Sequence, residues 1–143
     1  MNTKEMIFDV FQTQRARSLA KEIDNYLYRE SPYANYVEDY HDSRKDGART
    51  DYIGYISKKG SYKFLSITTS RKHCVVLHLG KKLHTATSIN MQHELDNLLK
   101  HRYQNSDNIK PTPGEAYIRL EWVDELSQII PFIDKAYSLR LEK

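Results

Sequence analysis

The residues through which this chain could do chemistry are its histidines, a single cysteine and a set of paired lysines. His73 and His78 bracket the run HCVVLH, whose alternation makes it a strand. Strand parity puts the two rings on opposite faces, so they share a pocket only across a bulge. Either ring beside a carboxylate such as Asp51 would form an acid–base pair, the minimum for a small histidine/carboxylate-dependent enzyme. His93 and His101 lie about two turns apart on a helical stretch, whereas a local zinc clip needs a spacing of four. Glu94 beside His93 does not complete a zinc-protease motif. Cys74, within CVVL, reads as a buried thiol, and a lone cysteine excludes an internal disulfide or a cysteine-rich zinc site. The expectation is therefore no metal site and no cofactor.

Other catalytic patterns are missing. A restriction-type metal nuclease needs a strand bearing carboxylate-x-lysine. Here Ser61 precedes Lys63 by two residues, and Tyr117 precedes Arg119. There is no G-x-S-x-G elbow and no glycine-rich phosphate loop ending in lysine and serine.

The positive charge is concentrated in the middle of the chain. Residues 51–110 carry ten Lys/Arg against four Asp/Glu, while the segments on either side are slightly acidic. In a meander Lys58 and Lys59 lie at one end of the sheet, and Lys81 and Lys82 return to that end. Four lysines gathered there, with Tyr55 and Tyr62 beside them, would suit phosphate contact and base stacking on a single strand. The same lysines serve more simply as solvated turn residues that protect a sheet edge. Arg71 and Lys72 fall at the opposite end.

The elements that position these groups can be read from the hydrophobic pattern. Residues 4–28 carry an apolar stripe at helical spacing, with Thr3 as a cap and a weak middle at 12–17. Ser31-Pro32 ends it. Tyr33, Tyr36 and Tyr40 then recur at helix-like spacing, as in a short helical turn or ordered loop, and offer a partner surface or a homodimer contact. Residues 52–56, 62–68 and 73–79 read as three strands joined by turns at Gly60 and at 70–72. Residues 83–89 read as a short strand or loop, and 91–103 as a helix capped by Asn90. A fourth strand at 116–120 leads to a helix over 122–139, bent at Pro131. The fold class is α+β: an antiparallel sheet of four or five strands, order α-β-β-β-α-β-α, with the first and last helices on one face.

A length of 143 residues fits one globular domain, here 1–143. The N-terminal stretch lacks the apolar region of a signal peptide, and no apolar run approaches the roughly 20 residues needed to span a bilayer. The expectation is a cytoplasmic protein with no membrane contact.

YKFLSI, CVVLHLGKK and PGEAYIRLEWVDELSQIIPFIDKAY together resemble a family of small domains of unknown function, loosely labelled predicted transport protein. The features that carry the resemblance are Phe64, the strand 75–79, Gly114, the strand 117–120, the acidic-aliphatic step 124–126 and Ala136-Tyr137. It covers about residues 52–137. Members occur alone or attached to DNA-cleaving modules and look like accessory or binding domains. The family has no catalytic residues to carry over. The resemblance implies a non-catalytic binding or interaction module, acting with nucleic acid or with proteins of nucleic-acid metabolism. The small enzyme using His73 or His78 is the alternative.

Overall fold

The helix expected over residues 4–28 does not run unbroken. The computed structural model describes residues 3–30, 36–41, 52–57, 62–68, 74–80, 85–103 and 112–141. Helix α1 spans Thr3–Asp9 and α2 spans Gln14–Arg29. Between them the chain tightens through Val10 N–H to Ile7 O and Phe11 N–H to Phe8 O. Thr13 restarts the helix: its backbone is extended and its hydroxyl accepts from the Ala16 N–H at 3.0 Å. The kink lets one continuous stripe, from Ile7 and Phe11 to Ile23 and Leu27, stay buried on the sheet.

Five strands follow chain order across one antiparallel sheet: β1 Tyr36–His41, β2 Tyr52–Ser57, β3 Lys63–Thr68, β4 Cys74–His78 and β5 Glu115–Arg119. The α+β class and the antiparallel sheet are as the pattern predicts. β1 is a departure, because Tyr36 and Tyr40 lie on a strand paired with Ser57 and Ile53 rather than in a helical turn. Tyr33 lies outside the described residues.

One face of the sheet carries Ile53, Leu65, Ile67, Val75, Leu77 and Ile118 into the main core with the helices. A bulge between β2 and β3 adds Phe64 to that face. Its ring meets the edge of Tyr137 at 5.0 Å. The opposite face holds Cys74, Val76 and Tyr117 under Tyr103 and Trp122. β4 is thus apolar on both sides, as a covered inner strand should be.

Helix α3 spans Thr85–Leu99, so residues 85–89 of the stretch read as a short strand or loop belong to its start. It lies along the outer edge of β5. There Gln92 Oε1 accepts from the Tyr117 N–H at 2.7 Å, and Gln92 Nε2 donates to the Tyr117 carbonyl at 3.0 Å. One buried amide therefore satisfies backbone groups that an edge strand would otherwise expose. After β5 come two short 3-10 turns, Leu120–Trp122 and Leu126–Gln128, before helix α4, Ile130–Leu141. Pro131 does not bend a long helix. It sits in the first turn of α4, where its missing N–H costs nothing. No helix among the described residues is long and apolar enough to cross a membrane.

Candidate functional site

The antiparallel register brings polar residues from three strands together on the sheet face opposite the main core. His78 pairs with Glu115 across β4 and β5, and Ser66 on β3 stands opposite Val76, two residues from His78. Glu115 Oε2 lies 3.0 Å from His78 Nδ1, and Ser66 Oγ lies 2.9 Å from His78 Nε2. The Tyr117 hydroxyl donates to Glu115 Oε1 at 2.8 Å and accepts from the Thr112 N–H at 2.9 Å. An ionised Glu115 only accepts. A neutral His78 therefore carries its proton on Nδ1, leaving Nε2 to accept from Ser66. Burial pushes the Tyr117 phenol above its ordinary pKa, and the Glu115 carboxylate adds to that rise against the opposing hydrogen bond from Thr112. The His78 and Glu115 side chains keep 20% and 24% of their surface exposed, whereas Ser66 keeps 5%. The relay thus reaches solvent at its imidazole and carboxylate and is covered at its hydroxyl.

Beside it, Lys63 lies across the sheet. Its ammonium stands 4.1 Å from the centre of the Tyr52 ring. Gly54 makes this route passable, since a Cβ there would come within 2.8 Å of Lys63 Cε. Gly54 pairs directly with Ser66, so the lysine stem flanks the relay on the side away from His78.

A second cluster forms where α3 ends. The helix stops at Leu99 with Lys100 in the left-handed region, φ 62°. The His101 N–H returns to the Asp96 carbonyl at 3.2 Å. This is a Schellman closure, with a lysine where glycine is the usual residue. Lys100, His101 and Arg102 then border a cavity of about 250 Å³ completed by Asp96 and Asn97. Asp96 Oδ1 is engaged in the turn, accepting from the Tyr103 N–H and from Gln92 Nε2. The exposed His101 ring stacks on Trp122 at 4.7 Å and 16°. The Arg119 guanidinium lies 5.2 Å from the Trp122 ring.

The residues singled out from sequence divide accordingly. His78 meets a carboxylate, but it is Glu115. Asp51 and His73 lie outside the described residues, as do Lys58, Lys59, Lys81 and Lys82. Among the described residues, the pairs Ile56 with Lys63 and Leu65 with Leu77 put the C-terminal ends of β2 and β4 on the same side of the sheet. Tyr55 is a correction. Its ring is fully buried and its hydroxyl donates to Asp24 at 2.8 Å, so it has no face to offer a base. Tyr62 is 43% exposed, with the Arg140 guanidinium 5.0 Å from its ring. Ser66, Glu115 and the 100–102 run are not among the residues that the sequence singles out. For Ser66 and Glu115 only the register carries the signal. For 100–102 the sequence shows three successive basic or imidazole residues, but the hydrophobic pattern continues the helix to 103, and only the structure ends it at Leu99.

No protein-family model matches the chain, and neither a curated protein nor a solved structure shows significant similarity to it.

Proposed function

We propose that this chain is a binding module for phosphate-bearing partners, with single-stranded nucleic acid as its ligand and the end of α3 as its contact surface. The observation that carries the reading is Lys100 at φ 62°. A left-handed conformation costs a residue with a Cβ about 1 kcal/mol, and glycine avoids that cost. A lysine held there joins His101 and Arg102 at the border of one cavity. Two cations supply phosphate contacts, and the His101–Trp122 stack supplies a platform for an unpaired base. The resemblance over residues 52–137 belongs to the same proposal, as a binding rather than a catalytic domain.

Fluorescence anisotropy with a labelled single strand and a labelled duplex, at low and physiological salt, tests it. The expected result is weak binding that prefers the single strand and falls steeply with salt. Changing Lys100 and Arg102 to Glu should abolish it. Removing one contact should reduce the log–log salt slope by about 0.7 for a single strand. A parallel variant with Lys58, Lys59, Lys81 and Lys82 all changed to Glu measures what the opposite sheet end contributes. Absence of binding by the parent protein at low salt overturns the nucleic-acid reading and leaves a protein partner.

A further inference from the structure

The relay on the sheet face has a connectivity that phosphate binding does not use. A serine hydroxyl faces imidazole Nε2, and a carboxylate faces Nδ1 of the same ring, at 2.9 and 3.0 Å. This is the arrangement of nucleophile, base and orienting acid that defines a catalytic triad, which is recognised by geometry and role rather than by sequence position. Glu115 is itself held by the Tyr117 hydroxyl, so the ring that it orients has little freedom to turn. We propose that Ser66, His78 and Glu115 form an acyl-transfer centre for small ester substrates, independent of the nucleic-acid surface.

In this step Ser66 Oγ forms a bond to the ester carbonyl carbon as its proton passes to His78 Nε2. The carbon–oxygen bond to the leaving alkoxide breaks, and His78 returns the proton to that alkoxide. Water then attacks the acyl-serine, giving its proton to His78, and Ser66 Oγ leaves with the proton restored. Glu115 stays ionised throughout and acts as a positioning residue. Ser66 lies within a strand and is 5% exposed, so its ladder neighbours supply no oxyanion hole of the usual backbone kind. The aliphatic stem of Lys63 passes over Gly54, the β2 partner of Ser66, while its ammonium lies against the Tyr52 ring, so charge on the oxyanion would be met by Lys63 only if that side chain swings toward Ser66. The covered hydroxyl restricts the substrate to a small acyl group entering from the side of His78.

The whole protein is incubated with a small fluorophosphonate. In that reaction a bond from Ser66 Oγ to phosphorus forms, fluoride leaves, and His78 takes the proton. Peptide mass spectrometry of the parent protein then locates the adduct, so no variant is needed for the first result. The expected outcome is a single adduct on Ser66, formed about 100-fold more slowly in His78→Gln. Hydrolysis of p-nitrophenyl acetate should fall in parallel, and Glu115→Gln should lower kcat with KM little changed. Melting curves report whether each variant is folded, and Glu115→Gln serves if His78→Gln is not. An absent adduct, an adduct elsewhere, or a Ser66 adduct whose rate ignores both substitutions overturns the proposal.

Discussion

The two clusters of chemistry in this molecule are built in opposite ways. The relay at His78 lies inside the sheet ladder, and each member is held by a neighbour: Thr112 by Tyr117, Tyr117 by Glu115, Glu115 by His78, His78 by Ser66. The cluster at Lys100 sits where regular structure ends, with a backbone angle that a lysine adopts at a cost. In the first region the polar groups help hold the sheet together; in the second the fold gives up stability to present them. The signs of mutational effects should therefore differ. Truncation within the relay should destabilise, whereas relief of strain at the helix end should stabilise and yet remove function.

Glu115→Ala gives the largest effect on stability. It leaves the His78 Nδ1–H and the Tyr117 hydroxyl without the Glu115 acceptor; the imidazole keeps part of its access to water and the buried Tyr117 side chain almost none. The expected loss is about 1–3 kcal/mol, read from urea melts with an unchanged slope. A melting midpoint equal to that of the parent would mean that the relay is not part of the structural support, and the contrast would collapse.

Lys100→Gly comes next, with the opposite sign. Glycine at the left-handed position should raise stability by about 1 kcal/mol while removing the ammonium from the cavity edge. Nucleic-acid affinity should fall in the same variant. Lys100→Ala keeps the strain and loses the charge, so the pair separates the two consequences. A destabilised Lys100→Gly would mean that contacts of the lysine outweigh its backbone cost.

The sequence makes the scaffold legible because hydrophobic period and turn residues act locally. The strands at 52–57, 63–68, 74–78 and 115–119 differ from expectation by a residue or so at their ends, where boundaries are least defined. The extra strand is hidden in the sequence because tyrosines at 33, 36 and 40 mimic a helical spacing, while strand pairing with β2 is a long-range property. Tyr55 departs from expectation for a related reason: a tyrosine on a short strand looks exposed until the acid that accepts its hydroxyl, Asp24 on α2, is brought beside it. The relay needs residues from three strands, and nothing local links Ser66 to Glu115. The basic run 100–102 was legible, but its meaning depends on a positive φ that appears only once α3 stops.

The smallest predicted effect concerns alkaline pH, and it tests whether the relay differs from an ordinary phenol–carboxylate contact elsewhere. Tyr26 donates to Asp134 at 2.8 Å, just as Tyr117 donates to Glu115. Burial, then the hydrogen bond and charge of Asp134, push the Tyr26 phenol up to about 12 from an ordinary value of 10.0. The Tyr117 phenol is also raised, with burial the main cause. A phenol raised in the folded state contributes stability that is fully present below its unfolded value. That stability is lost as pH rises through the folded value. For Tyr26 the loss falls between about pH 10 and 12. Replacing either tyrosine by Phe should therefore flatten the alkaline fall in stability, as followed by chemical melts across that range. The two variants should part at neutral pH. Tyr26→Phe removes one contact between α2 and α4, whereas Tyr117→Phe also strips the Thr112 N–H of its acceptor and Glu115 of a donor. Tyr117→Phe should thus be the less stable of the two at pH 7. Equal stability would show that the relay acts as a set of separate contacts rather than a connected one.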